Sequence, residues 1–268
     1  MLVNGESGNL IGMRDRGLLY GDGVFRTLCV RGGQPQHWLL HYQKLQQDCV
    51  ALGIACPDFD LLSEELASLL PQHSDAVYKL IVTRGQAARG YAPAPDAIPT
   101  RLWDVSPLPA YPASWAEQGV PLYLCALRLG EQPRLAGIKH LNRLENVLAA
   151  AEFSGNGAAE GLMLDAQGRV IEGTRSNVFL ASAGRLLTPD LSRCGVAGVQ
   201  RERVLAAAAE LGLPCEVRDI ALDELLAADE VFLCNSVFGL WPVARLGGRS
   251  WSEFTLTHKL RDLLENAA

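Results

Sequence analysis

A proline-rich seam near residue 110 constrains the fold of this 268-residue chain more than any other feature of the sequence. Three prolines fall within residues 106–114. Proline fixes φ and has no backbone N–H, so this stretch suits neither a helix interior nor a central strand. We therefore expect a linker over residues 107–119, which joins a small N-terminal domain (1–106) to a larger C-terminal domain (120–268).

Strand and helix patterns occur on both sides of this linker. Apolar and β-branched runs predict strands, and these are expected near 24–30, 77–83, 101–105, 120–127, 160–166, 177–181 and 230–234. Helical spacing predicts helices near 36–53, 60–70, 141–153, 199–212 and 252–265, the last opened by a capping box at Ser250–Glu253. Because strands outnumber helices and do not alternate with them regularly, the chain is predicted to be α+β rather than a doubly wound parallel sheet.

Charge and composition exclude several classes of protein. A net charge of −6 argues against a nucleic-acid surface, which needs clustered Lys and Arg. No apolar run approaches the roughly 20 residues that a membrane span needs, and the N-terminus lacks the regions of a signal peptide. The seven cysteines form no C-x-x-C pair, and the five histidines show no metal-ligand spacing. We expect a cytoplasmic protein with reduced thiols and no metal site.

Lys139 is the lysine best placed for covalent chemistry. The chain has four lysines, at positions 44, 79, 139 and 259. An amine that attacks a carbonyl must be partly desolvated, so that it is neutral and nucleophilic. Lys139 follows the apolar segment 135–138 and directly precedes a predicted helix, and such a position lets a side chain enter a cavity from a rigid scaffold. On the residues alone, an ordinary solvated lysine near a helix start remains the more common case, and the sequence context does not overturn it.

Three further segments carry polar groups at the ends of predicted elements. Glu172, between two strands, could pair with a protonated ring nitrogen, although its neighbours are also typical of a turn. Residues 195–201 open a helix, and a helix N-terminus binds phosphate through its N–H groups and dipole; a tight turn is the alternative. Asn235 and Ser236 end a strand, where they could complete a phosphate site or simply form a turn.

Taken in order, these segments resemble the motifs of the class IV pyridoxal-phosphate enzymes. The family includes branched-chain and D-amino-acid aminotransferases and 4-amino-4-deoxychorismate lyase. The resemblance rests on residues 15–17, 21–25, 139, 172–177 and 198–201 and spans about residues 3–245. It implies the two-domain fold type IV, with a small N-terminal α/β domain and a larger domain whose sheet is barrel-like. It also implies a homodimer.

The resemblance implies a role for each matching residue. Lys139 would carry pyridoxal phosphate as a Schiff base and shuttle protons, and Glu172 would pair with the pyridine nitrogen. Lys44 stands where many relatives carry an arginine that binds the phosphate. An ammonium group, which is a point charge, would thus replace a guanidinium that can donate two parallel hydrogen bonds. The other implied cofactor contacts are Asn177, Gly198, Val199, Gln200, Asn235 and Ser236.

Residues 135–145 are most similar to the lyases of the family. This similarity implies elimination of pyruvate from 4-amino-4-deoxychorismate, which gives 4-aminobenzoate for folate synthesis. The substrate is a dicarboxylate, so arginines are expected to bind it, and the candidates are Arg84, Arg101 and Arg143, with Tyr91 beside them. An aminotransferase for D-amino or branched-chain amino acids on the same fold is the main alternative, and a non-catalytic binding protein on this scaffold is another.

Overall fold

The computed structural model describes residues 1–266, and the chain forms two compact units. Within these residues, the first unit consists of residues 1–109 and 138–142, and the second of residues 110–137 and 143–266. Both contain helices and strands, and the predicted α+β class is confirmed. The domain limits 1–106, 107–119 and 120–268 stay a prediction. No sequence pattern indicated that residues 138–142 belong to the first unit.

The first unit is built on an antiparallel sheet with the strand order β2-β1-β6-β5-β3-β4. The strands are β1 (Leu2–Val3), β2 (Glu6–Ser7), β3 (Gly23–Arg31), β4 (Gln34–Pro35), β5 (Ala76–Thr83) and β6 (Thr100–Pro107). The helices are α1 (Arg16–Tyr20), α2 (Trp38–Leu52) and α3 (Phe59–Leu69), and a 3-10 turn follows at Leu70–Gln72. Helix α2 ends where Gly53 adopts a left-handed φ of 63°, as the sequence predicts.

The two faces of this sheet differ in burial. Val24, Arg26 and Leu28 of β3 are buried on the face that packs against α2 and α3. Phe25 and Thr27 alternate with them and are half-buried on the opposite face. Any group that lies over Phe25 is therefore on the face opposite the two helices. We call this side the open face of the first unit.

The second unit contains a mixed sheet with the strand order β12-β11-β10-β13-β14-β7-β8-β9, and β15 is paired with β14. The strands are β7 (Val120–Leu129), β8 (Glu160–Asp165), β9 (Val170–Gly173), β10 (Asn177–Ser182), β11 (Arg185–Pro189), β12 (Cys215–Arg218), β13 (Glu230–Asn235), β14 (Gly239–Leu246) and β15 (Arg249–Ser250). The helices are α4 (Ser114–Gln118), α5 (Leu144–Glu152), α6 (Val199–Glu210), α7 (Leu222–Ala227) and α8 (Thr255–Asn266). Helices α6 and α8 pack on Phe179 and Phe232, while Val178 and Leu233 face a separate apolar core.

Helix α5 starts three residues later than the sequence pattern predicts. Residues 139–141 instead pair with β3, where Phe25 N donates to Lys139 O at 3.0 Å and Leu141 N donates to Gly23 O at 3.0 Å. The antiparallel bridge between Val24 and His140 lies between these two hydrogen bonds. Tertiary pairing thus overrides the predicted helix at its first residue, Leu141, two residues after Lys139.

The C-terminal helix also departs from its predicted start. It begins at Thr255, so the capping-box spacing of Ser250–Glu253 does not form its first turn. The carboxylate of Glu230, at the start of β13, accepts hydrogen bonds from Leu256 N at 2.8 Å and Thr257 N at 3.0 Å. A carboxylate from β13 therefore binds N–H groups in the first turn of this helix, in place of the predicted local cap.

Three observations bear on the composition-based expectations. All seven cysteines are free thiols. Within residues 1–266, no three or more His, Cys, Asp and Glu side chains are grouped so that they could hold a metal ion. In the same residues, every helix is too short or too polar to cross a membrane.

Candidate active site

Lys139 lies in the short segment that pairs with β3 of the first unit. Its carbonyl accepts from Phe25 N at 3.0 Å, and its own N–H donates to Asp48 Oδ2 at 3.0 Å. Its amine Nζ is 4.6 Å from the centroid of the Phe25 ring. The peptide is therefore held on two sides, and the amine lies on the open face of the sheet.

Asp48 connects the peptide of Lys139 to two cations. Asp48 and Arg26 are each 1% exposed, and the Arg26 guanidinium donates to Asp48 Oδ2. Lys44 Nζ lies 2.6 Å from Asp48 Oδ1, one helical turn away on α2. Burial lowers the pKa of Arg26, and the charge of Asp48 opposes that shift. The structure thus brings Lys44 and Lys139 to the same carboxylate.

Lys79 is a residue of this face to which the sequence pattern assigned no role. It is the Cα partner of Thr27 across β3 and β5, and its Nζ lies 5.0 Å from the centroid of the Phe25 ring. Two of the four lysines therefore lie over one aromatic ring. The signal was present in the sequence, since strand alternation places a lysine between two buried residues on the opposite face.

Arg84 is engaged within the first unit. Its Nε and Nη2 donate to the two carboxylate oxygens of Asp22 at 2.8 and 3.0 Å, and its Nη1 donates to Gly53 O at 2.5 Å. Burial raises the pKa of Asp22, but the hydrogen bonds and charges of Arg84 and Arg16 outweigh burial and lower it overall. Arg84 therefore fastens the start of the 84–99 loop, and this geometry favours a structural role.

Arg101 lies on the wrong face to meet the Lys139 amine. Cross-strand pairing puts it in one row with Val82 and Val24, on the helix-covered side. Its guanidinium binds the Glu65 carboxylate at 2.8 Å. Tyr91 is 84% exposed, and its ring lies 5.3 Å from that of Tyr20. The structure does not bring these two candidates to Lys139.

Glu172 is a buried carboxylate in β9 of the second unit. It is 3% exposed, and its Oε2 accepts a hydrogen bond from Val196 N at 2.8 Å. Arg143 precedes α5 in the same unit; burial lowers the pKa of its guanidinium, and the charge of Glu172 opposes this shift. A carboxylate has two oxygens with about four lone-pair sites, so it can accept from more than one donor.

Asn177 joins Glu172 to the start of helix α6. Its Nδ2 donates to Val196 O at 2.7 Å, and its Oδ1 accepts from Gly198 N at 3.1 Å. A Cβ at residue 198 would come within 2.6 Å of Asn177 Oδ1, so any other residue there would have to displace that amide oxygen. Val199 and Gln200 are the first residues of α6, and N–H groups in a first turn have no acceptor within the helix. This arrangement suits a phosphate.

Asn235 and Ser236 follow β13 beside the same loop. Cys234 is the Cα partner of Asn177, so the end of β13 lies next to the start of β10. Asn235 Nδ2 donates to Arg175 O at 3.2 Å, while its Oδ1 accepts from Val237 N at 2.9 Å. Asn235 therefore shapes the turn, and the half-buried Ser236 hydroxyl follows it.

Glu160 shapes the turn that links Glu172 to Asn177, and sequence reasoning missed it. It is fully buried in β8. Its carboxylate accepts from Thr174 N at 3.1 Å and from Ser176 Oγ at 3.1 Å. Nothing in the sequence marks this role, because Glu160 is the first residue of an apolar strand, where a solvated charged residue is common.

Comparison with known proteins places this geometry in a family. The model of the family described as "Amino-transferase class IV" matches residues 23–246. An aminodeoxychorismate lyase of Vibrio harveyi is 38% identical over 242 residues, which cover 90% of this chain and 89% of that protein. A putative branched-chain-amino-acid aminotransferase of Methanocaldococcus jannaschii is 31% identical over 242 residues, which cover 88% of this chain and 82% of that protein. The protein in the crystal structure of 4-amino-4-deoxychorismate lyase from Pseudomonas aeruginosa is 50% identical to this chain. The two structures match with a TM-score of 0.95 over 99% of this chain and 98% of that chain.

Proposed function

Because the chain belongs to the class IV aminotransferase family, we propose that it is a 4-amino-4-deoxychorismate lyase, which releases pyruvate and forms 4-aminobenzoate for folate synthesis. Enzymes of the family depend on pyridoxal phosphate. The observation that carries the choice of lyase is the 50% identity to the Pseudomonas aeruginosa lyase over 99% of this chain. The aminotransferase relative is 31% identical and supports the alternative more weakly.

The residues present fit pyridoxal phosphate. The second unit offers a buried carboxylate, Glu172, for a protonated ring nitrogen, and the N–H groups of Val199 and Gln200 for a phosphate. Gly198 leaves room for Asn177 Oδ1, which accepts from Gly198 N at the start of this helix. The further cofactor contacts that we propose are Asn177, Asn235, Ser236 and, in the first unit, Lys139 and Lys44. The ion pair of Lys44 with Asp48 is compatible with this role, because an ammonium has three donors.

Lys139 is the proposed catalytic residue. Its Nζ takes the proton from the ring carbon that bears the substrate's amino group and returns a proton to the departing pyruvate. The carbon–oxygen bond to the enolpyruvyl group breaks, and the ring becomes aromatic. Glu172 keeps the cofactor's ring nitrogen protonated. Bound pyridoxal phosphate supplies the electron sink for this chemistry.

The substrate carries two carboxylates, so cations near Lys139 are its proposed binding groups. Lys79 is one, because its amine lies over the same Phe25 ring. Arg143, whose pKa is affected by the charge of Glu172, also remains a proposed contact. Tyr91 remains one as well, although its exposed ring lies against Tyr20 rather than at Lys139. We leave Arg84 and Arg101 out of the site, because Asp22 and Glu65 already bind their guanidinium groups.

The test of this function compares two reactions of one enzyme preparation. We expect the purified protein with pyridoxal phosphate to convert 4-amino-4-deoxychorismate to 4-aminobenzoate and pyruvate in equal amounts. Transfer of amino groups from D-alanine or leucine to 2-oxoglutarate should be at least about 100-fold slower in kcat/KM, a gap of roughly 3 kcal/mol in transition-state binding. Transamination at a comparable rate without 4-aminobenzoate would assign the aminotransferase alternative.

We also propose that the protein is a cytoplasmic homodimer and that the second copy covers helix α5. Leu144, Val147 and Leu148 of this helix are 75%, 59% and 59% exposed, and their spacing aligns them in one apolar stripe. Free thiols throughout the chain suit a reducing compartment. We propose no nucleic-acid or membrane partner.

Charged substitutions on the α5 stripe are expected to dissociate the dimer. Val147→Glu with Leu148→Glu would bury two carboxylates in the proposed contact, so sedimentation should show monomers at micromolar protein, where the unchanged protein is dimeric. Val50→Glu on α2 is the matched control, since this valine is 72% exposed and lies outside the α5 stripe. Sedimentation of the double variant as a dimer would place the contact elsewhere.

A further inference from the structure

We propose that Asp48 is a positioning residue for Lys139, which fixes the peptide of that lysine so that its amine stays over Phe25. The inference rests on the proposed role of Lys139 and concerns residues of the first unit alone. It starts from the hydrogen bond between Lys139 N and Asp48 Oδ2, which is 3.0 Å long. The two residues are 91 positions apart in the chain.

The carboxylate of Asp48 takes the place of a backbone acceptor. Val24 and His140 form an antiparallel bridge, flanked by bonds from Phe25 N to Lys139 O and from Leu141 N to Gly23 O. Continued regularly, this ladder would have Lys139 N donate to the carbonyl of Phe25. It donates instead to Asp48, so the ladder opens at Lys139. A hydrogen bond to a charged acceptor is stronger than one of the same kind to a carbonyl.

Two cations hold that carboxylate in place. Arg26 and Asp48 are each 1% exposed, and the Arg26 guanidinium and the Lys44 amine bind the two different oxygens of Asp48. A buried carboxylate is stable only when its charge and lone pairs are matched in this way. Within residues 1–266, Arg26 Nε has no hydrogen-bond partner, so Asp48 is the main compensation for this buried guanidinium.

The consequence is a lysine whose main chain cannot shift along β3. Phe25 N binds the carbonyl of Lys139 and Asp48 binds its N–H, so a shift of the Cα would break one of these bonds and move Nζ from its place 4.6 Å from the Phe25 centroid. A reacting group displaced by about 1 Å loses on the order of 100-fold in rate. Asp48 would therefore act through Lys139, on kcat more than on KM, although it need not touch substrate.

The experiment compares three variants with the unchanged protein by hydrogen exchange and by kinetics. Asp48→Asn keeps an acceptor oxygen but removes the charge. Arg26→Met with Asp48→Ala removes the acceptor without stranding the buried guanidinium. Glu65→Gln is the control, because Glu65 is another buried carboxylate of this unit that pairs with an arginine. Exchange of the Lys139 amide is read in the full-length protein with and without pyridoxal phosphate.

In the double variant we expect the Lys139 amide to exchange at least about 10-fold faster, as a locally opened hydrogen bond would. We expect kcat to fall by about 10- to 100-fold, with KM within about threefold. Asp48→Asn should be intermediate in both, and Glu65→Gln should change neither, even if it lowers Tm. Normal exchange at Lys139 together with a normal kcat in a folded double variant would overturn the proposal.

Failure of the proposal is distinguishable from failure of the proposed function. If Lys139→Ala left lyase activity intact, Lys139 would lose its catalytic role, whatever the exchange data showed. If Lys139→Ala were inactive while the double variant exchanged and turned over normally, the catalytic role would stand and Asp48 would be only a counterion for Arg26. Should the double variant fail to fold, Asp48→Asn decides by the same two readouts.

Discussion

Replacing Lys139 by alanine is expected to lower kcat by about 10⁴-fold or more, because the residue is proposed both to hold the cofactor and to move the proton. The protein should also lose the visible absorbance of lysine-linked pyridoxal phosphate. Stability should change little, since Lys139 contributes main-chain bonds to Phe25 and Asp48 that alanine retains. The measurements are 4-aminobenzoate formation, the absorbance spectrum and Tm.

Lys259→Ala is the control for Lys139→Ala, since Lys259 is exposed on α8. Borohydride reduction followed by peptide mapping identifies which lysine carries the cofactor in the unchanged protein. An adduct on Lys79, whose amine lies over the same ring as that of Lys139, would move the catalytic role to that residue. An adduct on neither lysine would contradict the proposed site altogether.

Features with a local signal could be read from the sequence. Helix α6 opens at Val199 as predicted, because Gly198 and the following amphipathic run mark a helix start. Strand β13 ends at Asn235, one residue beyond the predicted range of 230–234, because the apolar run stops there. The family motifs fall on these same ends, so the class of fold and of cofactor could be predicted with no knowledge of long-range pairing.

Features that depend on register could not be predicted in this way. Arg101 is an arginine near the end of a strand, like many anion ligands, but pairing with Val82 turns it to the helix-covered face. A shift of one residue would have put it on the open face instead. Lys79 is the converse case, since the same alternation brings its amine to Phe25.

Contacts between distant segments were also beyond the sequence patterns. In the sequence, Asp48 has the pattern of a solvated residue on an amphipathic helix. Its contact with Lys139 arises because residues 138–142 belong to the first unit. Strand β14 was missed as well, since Pro242 within it argues against a strand between two others, yet it pairs with both β13 and β7. Pro242 pairs with Phe232 of β13 but precedes Val243, the first residue of β14 that pairs with β7, so the ladder to β7 begins after the proline.

Replacing Glu172 by glutamine is expected to lower kcat by about 10²- to 10³-fold, the usual effect of removing one preorganised electrostatic group. Glutamine has nearly the shape of glutamate and keeps an oxygen for Val196 N, which the carboxylate now binds at 2.8 Å. It lacks the negative charge that keeps a ring nitrogen protonated. The loop should therefore stay in place while the chemistry slows.

Glu160→Gln separates this electrostatic role from a purely structural one. Glu160 is fully buried and binds Thr174 N and Ser176 Oγ, so its replacement should lower Tm by several degrees. Glu172→Gln should leave Tm close to that of the unchanged protein and change kcat far more. If Glu172→Gln instead reduced kcat by less than about threefold, well below the range for a charge that acts on the reacting system, Glu172 would be an anchor for Val196 and the cofactor's ring nitrogen would need another partner.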